Sequence, residues 1–176
     1  PEDDSLLIDY INSSKENTKF IIAPHNIDSS QINSMLKKLQ KPTVLYSNYK
    51  NEALENKSVF IIDTIGLLTK IYKYADIAYI GGGMGSSGLH NTLEAATFGV
   101  PIVIGKNYQK FPEAKAMLTK GGLFSIDSGA SLQETLDALV KNPEKRKALG
   151  QTNKEYIKNN KGASELVMAE ITKLYS

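Results

Sequence analysis

At 176 residues and a formal net charge of +2, the chain has room for one well-buried core and no overall field to draw nucleic acid or an anionic membrane. It contains no cysteine, which excludes disulfides, thiolate zinc sites and thiol nucleophiles together and fits a reducing compartment, with the cytoplasm as default. No apolar run approaches the roughly 20 residues of a membrane span, and the opening PEDDSLLIDYINSS is acidic where a signal peptide is basic, so a soluble chain is expected.

Pro1 stands where an initiator methionine would, and the chain is expected to be part of a longer protein whose partner domain is missing. In chain order the sequence predicts a helix near Asp3 to Ser14 and a strand at Lys19 to Ala23, closed by Pro24. Asp28, with Gln31 three residues on, makes a capping-box-like start for a helix to about Gln40. Thr43 to Tyr46 is a short strand. After the polar stretch SNYKNEALENKS come a strand at Val59 to Ile62, a helix from about Ile65 to Tyr74 and a strand at Ile77 to Ile80. The glycine turn GGGMGSSG then opens a helix from about Leu89 to Phe98, which stops at Gly99. Pro101 to Ile104 is the next strand, Pro112 to Lys120 a helix ending at Gly121-Gly122, and Leu123 to Ile126 the last strand. The remainder is helical: Ser131 with Glu134 caps one helix, Pro143 suits the first turn of the next, and Gly162 separates a third. This alternation predicts one α/β domain over residues 1–176, a doubly wound parallel sheet of Rossmann-like type with about six strands and a helical carboxyl-terminal tail.

Parallel strands point the same way, so the loops that follow them gather at one edge, where such sheets bind ligands. Here these loops are APHNID, DTIGLL, GGGMGSSGLHN and GKNYQKF. Gly83 to Gly88 fits the G-x-G-x-x-G pattern of dinucleotide-binding folds. NAD or FAD, however, calls for an acid at the end of the next strand, and Pro101 to Ile104 runs into Gly105-Lys106-Asn107 with no acid before Glu113. Glycines there suit close approach to a phosphate, or else a tight turn that packs a helix on the sheet. At about 100° per residue, His90, Asn91 and Glu94 share one arc on the first turns of the helix, with Leu89, Leu93 and Ala96 on the neighbouring, core-facing arc. Glu94 can accept from ribose hydroxyls, Asn91 can donate to a phosphate or carboxylate oxygen, and His90 can donate in either protonation state. The alternative is a surface pair between His90 and Glu94. His25, in Pro24-His25-Asn26, is a ligand at the same edge or an exposed loop histidine, and Lys106, Tyr108 and Lys110 face an anion or solvent. With His25 and His90 the only histidines and no G-x-S-x-G elbow, neither a Ser-His-Asp triad nor a paired-carboxylate hydrolase is supported, and no spacing suggests a metal site. The Lys-rich tail with Tyr156 reads as solvated faces, without the aromatic and basic clustering of a nucleic-acid surface.

The segments PHNI and DTIGLLTKIYKYADIAYIGGGMGSSGLHNTLEAATFGVPIVIGKNYQKFPEA resemble the carboxyl-terminal half of the 3-deoxy-D-manno-octulosonic acid (Kdo) transferases, enzymes that add Kdo to lipid A precursors. The run from Gly81 to Gly105 is the strongest part, and the likeness covers about Lys19 to Ile126 plus the tail. It implies one half of a two-domain GT-B glycosyltransferase, with CMP-Kdo as donor, no cofactor and no obligatory metal. By the same resemblance, Pro24 and His25 with the turn at Ile65-Gly66 hold the cytidine and its phosphate. Gly82, Gly83, Gly88, His90, Asn91 and Glu94 hold phosphate, ribose and Kdo. Lys106 and Lys110 are anion contacts on the reading of their own loop, outside the resemblance. The chain departs from the pattern at Pro24-His25-Asn26, where many members have Pro-Arg-His, at Leu67 in place of an acid, at Ala95 in place of proline, and at Lys106 after Gly105. The family's catalytic general base belongs to the amino-terminal domain, as do the lipid A precursor site and membrane contact at the cytoplasmic side of the bacterial inner membrane. The half present here is therefore expected to bind nucleotide weakly and to transfer nothing alone. Two rival readings are a GT-B transferase with a UDP-sugar donor and a nucleotide-binding module without chemistry.

Overall fold

The computed structural model describes residues 2–15, 17–51 and 53–175. Helix α1 (Glu2–Ser13) precedes strand β1 (Phe20–Ile22), α2 (Ser29–Lys38), β2 (Thr43–Leu45) and β3 (Val59–Ile61). These strands form a parallel sheet in the order β1-β3-β2. After the short α3 (Leu68–Ile71) come β4 (Ala78–Ile80), α4 (Thr92–Thr97), β5 (Ile102–Gly105), α5 (Pro112–Lys120) and β6 (Leu123–Ile126), and these strands make a second parallel sheet in the order β4-β5-β6. Helices α6 (Gly129–Lys141), α7 (Pro143–Asn159) and α8 (Ala163–Leu174) complete the chain.

Strand β5 shows why the second sheet lies inside the protein. Ile102, Val103 and Ile104 have no exposed surface at all, the continuous apolar run of a parallel strand covered on both faces. Because side chains alternate along a strand, Ile102 and Ile104 meet Ala95, Ala96, Ala114 and Met117 from α4 and α5. Val103 turns the other way, toward Leu132, Leu136 and Leu139 of α6 and Tyr10 of α1. The first sheet packs Val59 and Ile61 with Ile11, and Met35 and Leu36 of α2 close over them.

The expected six strands are therefore present, divided into two three-stranded sheets that α1 links. Tyr10 belongs to one core cluster and Ile11 to the other, and Phe20 packs against both. The Tyr10 and Phe20 rings meet edge to face at 6.2 Å. The Tyr79 hydroxyl donates to Asp3 Oδ1 at 2.7 Å, and the Tyr10 hydroxyl to Asp137 Oδ1 at 3.2 Å. Burial first, and the carboxylate partner second, push the Tyr10 phenol up to about 12 and raise that of Tyr79 as well.

Several local expectations are corrected. The helix expected from Ile65 to Tyr74 is a turn followed by the four-residue α3 and a 3₁₀ turn at Tyr72–Tyr74. Gly66 has φ +85°, outside the helical region, and Leu67 offers no side-chain cap. The polar stretch after β2 folds into 3₁₀ turns at Tyr46–Asn51 and Leu54–Asn56. Asp28 does cap α2, accepting from the Ser30 and Gln31 amides, which hold its carboxyl below the usual range together with the Ser30 hydroxyl, the largest cause. Helix α6 is capped by Ser128, with Ser131 as its reciprocal partner, rather than by Ser131 and Glu134. Pro143 opens α7 as expected, yet that helix is not simply a solvated face: Gly150 and Asn153 are buried, and Tyr156 packs on the core. No helix among the described residues is long and apolar enough to cross a membrane.

Candidate functional site

All six strands run parallel within their sheets, and the loops leaving their carboxyl ends carry the residues of interest. The turn between β4 and α4 is wound so tightly that a side chain does not fit at Gly82 or Gly83. Gly82 has φ +86°, and a Cβ there would lie 2.1 Å from the Gly88 carbonyl oxygen and 3.0 Å from His90 Cδ2. A Cβ on Gly83 would come within 2.8 Å of the Gly105 nitrogen at the end of β5. Asn107 then fastens the two loops together. Its backbone N–H donates to Gly83 O at 2.8 Å, and its side-chain amide donates to Met84 O at 3.1 Å and Gly85 O at 2.8 Å. Those glycines thus have a packing reason of their own. In the sequence Asn107 is only a polar residue after the strand, and nothing local marks its role.

Helix α4 begins at Thr92, three residues later than expected. Asn91 is its cap, with Oδ1 accepting from the Leu93 amide at 3.0 Å. His90 is consequently not helical; its backbone N–H donates to Gly81 O at 3.0 Å. The shift in phase changes the inward stripe to Thr92, Ala95 and Ala96, leaving Leu93 39% exposed, while Leu89 is buried from the turn. Asn91 and Glu94 do meet, the Asn91 amide donating to Glu94 Oε1 at 3.1 Å. Glu94 is half-buried and lies near Tyr72, whose phenol is pushed up to about 12 by burial and, second, by that carboxylate.

The contact that gathers the site is between His25 and His90. Their ring centroids are 4.6 Å apart and their planes tilted by 32°, so the loop after β1 touches the loop after β4. Both histidines and Asn91 are exposed, and Pro24 is half-buried beside them. The result is an open shelf with imidazole, amide, carboxylate and glycine backbone side by side. Ile65 is 89% exposed, and Gly66 has open space where a Cβ would go. That turn shares no hydrogen bond or ring contact with the shelf among the described residues. Its strand is anchored instead by Asp63, which accepts from the Ser47 N–H at 2.9 Å and the Ser47 hydroxyl at 2.6 Å. Lys106 and Lys110 are exposed on the loop after β5. Lys106 lies near Asp127, whose carboxyl is held low first by the Ser128 and Ser131 hydroxyls and least by this lysine. Among the described residues, no group of three or more His, Cys, Asp or Glu side chains could hold a metal ion.

A family model for glycosyl transferases group 1 matches residues 6–156. The chain belongs to the group 1 glycosyl transferases. It is similar to the 3-deoxy-D-manno-octulosonic acid transferase of Haemophilus influenzae, 29% identical over 154 residues, 86% of this chain and 36% of the relative. The enzyme of the same description from Chlamydophila psittaci is 28% identical over 166 residues, 93% of this chain and 38% of the relative. The group 1 glycosyl transferase described here thus spans about a third of the length of the curated relatives it matches. Its fold is similar to the crystal structure of the C-terminal CMP-Kdo binding domain of WaaA from Acinetobacter baumannii, with a TM-score of 0.72 at 20% identity, over 89% of this chain and 83% of that one. The architecture is the Rossmann-like half of a GT-B glycosyltransferase.

Proposed function

We propose that this chain is the donor-binding half of an inverting glycosyltransferase that moves Kdo from CMP-Kdo to a lipid A precursor. The observation that carries the reading is the joint one above: relatives described as Kdo transferases match nearly the whole chain, and the loops at its carboxyl edge converge through His25 and His90. In this reading Pro24, His25, Ile65 and Gly66 take the cytidine and its phosphate. Gly82, Gly83, Gly88, His90, Asn91 and Glu94 take phosphate, ribose and Kdo, and Lys106 and Lys110 attract the anion. Donor binding needs neither a cofactor nor a metal ion. Stabilisation of the departing CMP phosphate is the contribution of this half. The general base, the lipid acceptor site and attachment at the cytoplasmic face of the bacterial inner membrane belong to sequence outside this chain.

Glu94 gives a direct test, because its carboxylate is the group on the shelf suited to accept from two ribose hydroxyls. Loss of such a charge-assisted contact is worth about 1.5 kcal/mol, or roughly tenfold in affinity. Glu94→Ala is expected to weaken CMP binding by that factor in calorimetry. Its thermal midpoint should stay near that of the unmodified chain, since Thr92, Ala95 and Ala96 supply the buried face of α4. Unchanged CMP affinity combined with a lowered midpoint would assign Glu94 to structure alone and remove it from the site.

A further inference from the structure

Among the described residues, β1 and β2 end one sheet and β4 and β6 end the other. Strands β2 and β6 lie on the far sides, whereas β1 and β4 meet the same interior. Phe20 of β1, Tyr79 of β4 and the adjoining Ile77 all pack on the cluster that holds Tyr10 of α1. The loops leaving β1 and β4 touch through His25 and His90, so the two strands point the same way. No ladder joins them. The hydrogen bonds fix which backbone groups lie open. Phe20 N–H donates to Ser58 O at 2.8 Å and Ile62 N–H to Ile22 O at 2.8 Å, so Phe20 and Ile22 turn their backbone toward β3 and Ile21, between them, turns its own away. Ala78 N–H donates to Pro101 O at 3.0 Å, which in the same way leaves the Tyr79 backbone on the open side of β4. Among the described residues the backbone N–H and C=O of Ile21 and Tyr79 have no partner. No residue of β1 is fully buried, and Ile21 is 44% exposed.

Helix α1 spans both sheets, and its course shows what belongs between them. Its start sits at the carboxyl end of β4, where the Tyr79 hydroxyl donates to Asp3 Oδ1 and the Glu2 carboxylate lies 3.5 Å from the place of a Cβ on Gly85. Its far end feeds β1. A helix that returns from the carboxyl edge to the start of a parallel strand is the crossover of a βαβ unit, and the element before such a helix is a strand parallel to the one after it. We propose that β1 and β4 are the two walls of a slot for one further parallel strand, supplied by the residues of the same protein immediately before Pro1. The matched region is 36% and 38% of the two relatives above, so proteins of this kind carry chain beyond it. That strand pairs with Ile21 on one side and Tyr79 on the other and merges the two sheets into one. Lying inside a parallel sheet, it is a continuous apolar run of about five residues. Its loop arrives at Glu2 beside the glycine turn and so borders the shelf, although the pairing itself does not rest on the donor reading.

Amide hydrogen exchange tests this in three samples: the longer protein, a form of it with about ten residues before Pro1 replaced by a glycine-serine run, and the present chain at two concentrations. The Ile21 and Tyr79 amides are expected to exchange at least roughly tenfold more slowly in the longer protein than in the other two. Fast exchange of both in the longer protein overturns the proposal. Slow exchange that survives the glycine-serine replacement gives the slot to another part of the protein, and slow exchange in the present chain that grows with concentration gives it to a second copy; either overturns the proposal. Ile21→Pro decides the matter if the replaced form does not fold. It removes the N–H on the open edge and none of the bonds to β3, a place where a strand tolerates proline. The thermal midpoint of the longer protein should then fall by more than that of the present chain, and equal losses in the two would contradict the pairing.

Discussion

Replacing Gly105 by alanine is expected to destabilise the protein by about 3 kcal/mol or more and to displace the glycine turn. A Cβ at this position would lie 2.2 Å from Gly83 C, 2.3 Å from the Met84 nitrogen and 2.4 Å from Gly83 O. All three are backbone atoms, so no side-chain rotation relieves the overlap. Either the end of β5 leaves its register with Ile126 of β6, or the turn lifts away and the three hydrogen bonds from Asn107 are lost. His90 is tied to Gly81 at the start of that turn, so the shelf moves with it. For a chain of this size, 3 kcal/mol corresponds to roughly 6–12 °C in the thermal midpoint. Lys106→Ala, one residue on and exposed, should change stability by no more than about 0.5 kcal/mol. Gly105→Ala with an unaltered midpoint and unaltered amide signals from residues 81–90 would refute this account of the turn.

Asn153→Leu is expected to remove about 3 kcal/mol through a different mechanism. Asn153 is fully buried in α7, and its amide donates to Val100 O at 2.8 Å and Gly122 O at 2.7 Å. Those carbonyls belong to the residues that lead into β5 and β6, so one side chain pins a helix to two strand entrances. Leucine has the same branching but more bulk and no donor. Val100 O is therefore left without a partner, at a cost of about 1–3 kcal/mol. Gly122 O keeps only the Ile102 amide at 3.1 Å, and the added bulk is forced into a packed site. The Asn153 Oδ1 has no partner in the native state, which offsets a part of that sum. In urea the midpoint should fall with the slope unchanged, the mark of a lost native interaction rather than an altered denatured state. Lys158→Ala, exposed on the same helix, serves as the comparison. A midpoint for Asn153→Leu equal to that of the native chain would show that the two hydrogen bonds contribute nothing net.

These two residues also mark where the sequence was readable. Pro112 to Lys120 and Leu123 to Ile126 were expected with the limits they have, because a proline start, a glycine stop and a buried apolar run are local signals. The glycine turn was recognised as a place where backbone comes close. What it approaches, the end of β5, lies more than a dozen residues away in sequence, and spacing does not encode such a contact. The start of α4 was misplaced because Leu89, His90 and Asn91 fit a helical period. Asn91 ended the competition in favour of a cap, since its side chain satisfies the Leu93 amide only from a non-helical residue. Helix α7 has mostly charged and polar residues, so a buried asparagine within it carries no sign of its own.

In the site, the arc of His90, Asn91 and Glu94 was legible in part. Asn91 and Glu94 meet, but through a cap rather than through helical neighbours. His25 was ambiguous by itself, and its partner became visible only when the folded chain placed one ring against the other. Ile65 and Gly66 were named through family resemblance. Among the described residues, their turn shares no hydrogen bond or ring contact with the shelf.

The most direct measurement is an NMR-monitored titration of this chain with CMP, UMP, UDP, GDP and NAD, each with and without magnesium. The donor-site account predicts selective binding of CMP that is indifferent to magnesium and shifts amides from Gly82 to Glu94 together with His25. A stronger response to UDP, GDP or NAD, or CMP shifts confined to another face of the protein, would contradict it.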